Sequence, residues 1–216
     1  MSLHELLGPL LQPAFHVGEV PTTWAELLGF VTGAVNVFLV VRQNILNWPI
    51  GIANVILLGL VFLDGGLYAD AGLQVVYVGL QAYGWWVWLY GGEGRDRLPV
   101  TRTSRGQWAG LLAAGAAATA LLTWALSGLT DSNVPFWDAL TTSMSLMAIY
   151  GQSRKLLESW WIWIAVDLVY IPLYWYKDLK LTSVLYVVFL TLCVAGLLSW
   201  RRAFQAGREA PAAATA

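Results

Sequence analysis

Seven long apolar runs, separated by short polar or basic breaks, dictate what this chain can fold into; they cover residues 24–41, 48–64, 70–90, 107–127, 136–152, 160–176 and 182–202. A helix needs about 20 mostly apolar residues to cross a hydrocarbon core, where no water is present to satisfy a backbone amide. Hydrophobic residues make up 58% and charged residues 12% of the 216 positions, too little polar surface to enclose a water-soluble globule. The expected fold class is therefore an all-α polytopic membrane protein with seven transmembrane helices. Pro172 should bend the sixth helix, and Lys177, Asp178 and Lys180 leave a tight polar turn before the seventh.

The basic residues test this count. Seven crossings place Arg42, Arg95, Arg97, Arg102, Arg105, Arg154, Lys155, Arg201, Arg202 and Arg208 on one side, 10 of the 12 Lys and Arg, and only Lys177 and Lys180 on the other. Lys and Arg are retained on the cytoplasmic side, so the N-terminus is expected outside and the C-terminus inside. Residues 1–23 carry His4, Glu5, Pro9, Pro13, His16 and Glu19 in sequence too short to span, with no basic start or cleavage site. They read as an interfacial segment rather than a signal peptide.

The chain also repeats itself. At an offset of 113, Trp24 matches Trp137, Arg42 matches Lys155, Trp48 matches Trp161 and Asn54 matches Asp167. Three helices, one linking helix and three more place both triplets in the same orientation, which makes the repeats parallel (3+1+3). The expected divisions are the first repeat at 24–90, a basic loop and linking helix at 91–135, the second repeat at 136–202 and a cytoplasmic tail at 203–216. Gln107 to Ser127 suits a linker, being rich in Ala, Gly and Leu.

Polar residues inside the apolar runs are the candidate site. Asn54 needs partners at membrane depth, either an interhelical hydrogen bond or a ligand. Gln74, Tyr77 and Gln81 follow i, i+3, i+7 spacing and form one stripe that lipid would penalise. Trp160, Trp163 and Asp167 repeat that spacing and align two indoles with a carboxylate. An acid two turns into the membrane is costly unless protonated, hydrated or paired, so it marks a pathway; the competing reading is a structural hydrogen bond. Tyr170 and Tyr174 extend the same face, and Tyr186 can meet it from the last helix. Trp85, Trp86 and Trp88 read as an interfacial belt. Flat aromatic rings beside amides and a carboxylate suit a small, planar, partly polar solute such as a nucleoside or vitamin.

Several runs, taken together and in order, resemble the bacterial Pnu vitamin transporters, and most of all their nicotinamide riboside (PnuC) branch. They are Asn47-Trp48-Pro49-Ile50-Gly51, Leu67-Tyr68-Ala69-Asp70 with Gln74 and Tyr77, Tyr83-Gly84-Trp85, Trp160-x-x-Trp163-x-x-x-Asp167, and Leu181-Thr182-x-x-Leu185-Tyr186. The resemblance covers about residues 24–202. It implies a SWEET-like fold, a central site between the triplets, homotrimers, and facilitated diffusion with trapping by a cytoplasmic nicotinamide riboside kinase. Asn54, Gln74, Tyr77, Trp160, Trp163 and Asp167 would be the substrate contacts. Related branches carry riboflavin or thiamine, and the Leu67–Asp70 run is closer to the nicotinamide riboside branch. Proton-coupled uptake stays open, since Asp167 can bind ribose as an anion or carry a proton.

Several chemistries are not expected. There is no G-x-x-x-x-G-K-[ST] run for nucleotide phosphates, and His4, His16 and Cys193 are too scattered for a metal site, so neither cofactor nor metal is expected. Cys193 reads as a packing thiol, and Glu209–Ala216 as a disordered end. A membrane enzyme using Asp167 and Tyr170 lacks a convergent second acid, metal or nucleophile.

Overall fold

The computed structural model describes residues 8–17, 20–64, 68–92, 98–129, 134–176 and 180–214. The strands are β1 (Pro13–Val17) and β2 (Val20–Thr23). The helices are α1 (Trp24–Val41), α2 (Asn47–Asp64), α3 (Tyr68–Tyr90), α4 (Arg105–Leu129), α5 (Pro135–Ser153), α6 (Ser159–Tyr176) and α7 (Lys180–Ala214). Every expected helix is present and starts within two residues of its expected position. Arg105–Leu129 and Ser183–Gly207 are long and apolar enough to cross a membrane by length and composition, and Leu27–Val41 and Asn47–Leu63 are shorter apolar helices. His4, Glu5, Leu67, Arg95, Arg97, Lys177 and Asp178 lie outside the described residues.

Local chemistry sets several helix starts. Pro135 opens α5, where its missing amide proton costs nothing. At α4, the Gln107 amide accepts from the Ser104 N–H (2.8 Å) and the Ser104 hydroxyl accepts from the Gln107 N–H (3.2 Å). This reciprocal capping box satisfies two amide protons that the first turn would otherwise orphan.

Two expectations are corrected. The chain is mostly helical rather than wholly so: β1 and β2 form an antiparallel ribbon, pairing His16 with Pro21 and Val17 with Val20, with a bulge between Pro13 and Phe15. β-branched Val17, Val20, Thr22 and Thr23 favour strands there. The tail is not irregular, because α7 runs on through Pro211 to Ala214. Alanine is the strongest helix former, and Ala203, Ala206, Ala210 and Ala212 extend a helix that is already nucleated.

The chain divides into two compact units, Met1–Trp86 and Val87–Ala216. In the first, α1 and α2 pack together, and the ribbon lies against α1. In the second, α4 packs on α5, α5 on α6 and α6 on α7. The segment before α4 is tied to the α5–α6 turn. Thr101 N–H donates to Lys155 O (3.1 Å), Leu157 N–H donates to Thr101 O (2.9 Å), and Glu158 accepts from both N–H (2.7 Å) and O–H (2.9 Å) of Thr103.

The repeat is real, but its offset is 112 rather than 113. Helices α2 and α6 start at Asn47 and Ser159 and end at Asp64 and Tyr176. Gln43 and Lys155, also 112 apart, are the described non-glycine residues with positive φ, at 50° and 49°. The amides of Asn44 and Leu156 bond to Leu39 O (2.9 Å) and Gly151 O (2.8 Å), one in each copy. In each unit a buried indole fills the space over a glycine: Trp48 over Gly84, and Trp160 over Gly196. Matching like residue types slips the alignment by one, because Trp160 and Trp161 stand side by side. Asn54 therefore corresponds to Val166, and Asp167 to Val55. Successive helical residues differ by about 100° in direction, so Asn54 and Asp167 do not hold equivalent positions.

Candidate functional site

In the first unit, the Asn54 side-chain amide donates to Gly29 O (2.9 Å) and to the Thr32 hydroxyl (2.6 Å). Both donors are thereby spent tying α2 to α1, the structural reading of an amide at this depth. The polar stripe of α3 runs along α2. A methyl group added at Gly59 would lie 3.3 Å from Gln74 Cβ, and one added at Gly51 would overlap the Gln81 amide and lie 3.2 Å from Asn36 Nδ2. Gly51 leaves room for the Asn36 and Gln81 amides, which converge on it. Gln81 is buried, while Gln74 and Tyr77 are half-buried. Asn36 is a residue that the sequence reading missed, although the rule applied to Asn54 covers it too: one amide inside an apolar run. Its Oδ1 is buried without a hydrogen-bond partner.

In the second unit, the three aligned residues of α6 separate. Trp160 is 0% exposed and meets Trp200 edge to face at 5.4 Å, and Trp200 lies 6.0 Å from Trp88. The Lys155 ammonium sits 4.4 Å above the Trp88 ring, and the Trp88 indole donates to Gln152 O (2.9 Å). Trp160 is thus the centre of an aromatic clasp around the α5–α6 turn. Trp88, expected in an interfacial belt, is 3% exposed and belongs to the same clasp.

Trp163 and Asp167 are different. Asp167 is 3% exposed and its carboxylate meets the Cys193 thiol of α7. Its Oδ2 and the Trp163 indole Nε1 are both buried with no hydrogen-bond partner. Four residues apart, they lie about 6 Å along one face of α6, an acceptor beside a donor. Leaving such groups unpaired costs roughly 1–3 kcal/mol each, which a solute offering a hydroxyl or amide would recover. Cys193 was expected only to fill space, and no sequence signal pairs it with Asp167.

Beyond Asp167, the Tyr170 and Tyr174 rings stack at 5.3 Å and 27°, and Tyr174 stacks on Tyr186 of α7 at 5.1 Å and 25°. The Tyr174 and Tyr186 hydroxyls are hydrogen-bonded. Ser183 supports this end by donating to Ile171 O (2.8 Å), beside Pro172. Among the described residues no His, Cys, Asp and Glu group of three or more could hold a metal ion.

The profile of the family described as "Nicotinamide mononucleotide transporter" matches residues 23–202. The chain belongs to that family. The family's members are membrane transporters of the PnuC type, so this chain is a transporter and not an enzyme. It is 28% identical over 193 residues to the riboflavin/roseoflavin transporter RibM of Streptomyces davaonensis, covering 87% of this chain and 89% of that one. It is 22% identical over 225 residues to the nicotinamide riboside transporter PnuC of Escherichia coli, covering 93% and 94%. The crystal structure of the vitamin B3 transporter PnuC superposes with a TM-score of 0.66 at 26% identity, covering 84% of this chain and 82% of that one. The Pnu transporter resemblance read from the motifs is thereby established.

Proposed function

We propose that this family member imports nicotinamide riboside, the observation that carries the reading being the unpartnered Trp163 Nε1 and Asp167 Oδ2, one turn apart on α6. A carboxylate accepts and an indole donates, so the pair is complementary to a ribose hydroxyl or a carboxamide, while the tyrosine rings offer faces to a planar ring system. Gln74 and Tyr77 are assigned to the substrate as half-buried polar groups of the first unit. Trp160 and Asn54 are assigned to holding helices together, in accord with the 0% exposure of one and the engaged donors of the other.

The proposal includes seven crossings of a bacterial cytoplasmic membrane, arranged as parallel triplets around a linking helix (3+1+3). The N-terminus is outside and the C-terminus inside, as the 10-to-2 split of basic residues requires. Facilitated diffusion, trapping by a cytoplasmic nicotinamide riboside kinase and a homotrimer complete it; these parts rest on the family resemblance.

A second reading is riboflavin transport, favoured by the 28% identity to RibM. Uptake of labelled nicotinamide riboside, riboflavin and thiamine into liposomes holding the purified chain separates the two. Saturable flux of nicotinamide riboside is expected; flux of riboflavin without it overturns the substrate assignment. Uptake that rises when a proton gradient is imposed would replace diffusion with symport.

A further inference from the structure

A groove of about 900 Å³ opens on the second unit, between α4 and α6 and floored by α5. It is unrelated to the Asp167 face. Helix α4 packs along α5 but is mostly exposed, and its buried residue is Gly115, where a side chain would overlap Met147. The groove runs from Trp108 to Trp124 along α4, about 24 Å at 1.5 Å per residue. One leaflet of a bilayer's hydrocarbon core is about 15 Å deep.

The lining is apolar. Leu112, Ala120, Leu140 and Met144 form much of it, and two of its three hydroxyls are turned inward: Thr119 donates to Gly115 O (2.8 Å) and Ser143 to Ala139 O (2.8 Å), while the buried Thr123 hydroxyl of α4 has no partner. The floor thus offers no free hydrogen-bonding group to a partner's side chain. The two ends differ in charge. At the α4 start, exposed Arg105 lies three residues before Trp108 on the same helical face, and Trp161, 58% exposed, lines the groove one turn into α6. Tryptophans belong at headgroup depth, and an arginine beside them attracts phosphate.

We propose that this groove is a binding site for an anionic phospholipid, with one acyl tail along α4 and the phosphate at Arg105. The site is independent of which vitamin is carried. Native mass spectrometry of the full chain, released from detergent containing equal dioleoylphosphatidylglycerol and dioleoylphosphatidylethanolamine, tests it directly. Retention of phosphatidylglycerol should exceed that of phosphatidylethanolamine by about fivefold, the pull of one arginine on an anionic headgroup. Ala120→Phe should fill the groove and cut lipid retention by about fivefold or more, while Ala117→Phe, an exposed position outside the lining, should not; matching melting temperatures verify folding. Arg105→Ala should erase the headgroup preference. Equal retention of the two lipids by the unaltered chain overturns the proposal. So does an Ala120→Phe variant that keeps its phosphatidylglycerol, or one that instead changes the subunit number in the same spectra, since the groove is then a contact between copies.

Discussion

The two units solve the same packing problem with opposite choices of size. In the first, α2 supplies a glycine at 51 and α3 fills the space with the Gln81 amide. At the positions 112 residues later, α6 supplies Trp163 and α7 a small thiol, Cys193. The tryptophan seated over a glycine, Trp48 on Gly84 and Trp160 on Gly196, is common to both. The backbone plan is therefore shared, and the chemistry differs where large and small residues have exchanged helices and where Asn54 and Asp167 each stand opposite a valine. One result is a pair of neutral amides, Asn36 and Gln81, with Asn36 Oδ1 unpartnered; the other is an indole near a carboxylate, with Trp163 Nε1 and Asp167 Oδ2 unpartnered.

Six substitutions would break or sharpen this contrast. The largest effect is expected for Trp160→Ala and Trp48→Ala, each costing about 3–5 kcal/mol of stability by emptying a buried site. Thermal melting in detergent measures it, and a Trp160→Ala protein that melts normally but has lost substrate affinity would return Trp160 to the substrate site. Asp167→Ala should reduce initial vitamin uptake into liposomes by roughly 10- to 100-fold, the loss of a charged hydrogen bond, with an unchanged melting profile. Wild-type uptake by this variant would leave the unpaired carboxylate without a role.

Gly84→Ala and Gly196→Ala should each destabilise by about 1–3 kcal/mol through overpacking against the indole. Unequal costs at the two positions, read from melting temperatures, would show that the shared plan is looser in one copy. The smallest effect belongs to Asn54→Ala, about 0.6 kcal/mol with an upper bound near 1.7 for an interhelical hydrogen bond in a membrane. Uptake should persist in this variant; its abolition in a well-folded protein would make Asn54 a substrate contact after all.

The helices were legible in the sequence because hydropathy and turn chemistry are local: Pro135, the Ser104–Gln107 pair and the basic breaks each mark a boundary within a few residues. The repeat was legible as a duplication but not in register. Trp161 looks like the partner of Trp48, whereas the backbone pairs Trp48 with Trp160, and only the glycine beneath each indole reveals it. Helical spacing placed Trp160, Trp163 and Asp167 on one face, but a face is wide. Whether an indole on it is seated over a glycine, as Trp160 is over Gly196, depends on residues of α7 more than 30 positions away. The Asp167–Cys193 contact was illegible for the same reason. The tail and the ribbon were misread where intrinsic propensity, not hydropathy, decides the conformation.

The left-handed turns at Gln43 and Lys155 set backbone comfort against side-chain contact. Glycine occupies such a conformation without the Cβ penalty of roughly 1–2 kcal/mol, so the backbone of this turn favours glycine in both copies. Lys155→Gly would remove the ammonium that sits over Trp88. Backbone comfort pulls this turn toward glycine, and in the second copy a neighbour's ring pulls the other way and holds it to lysine.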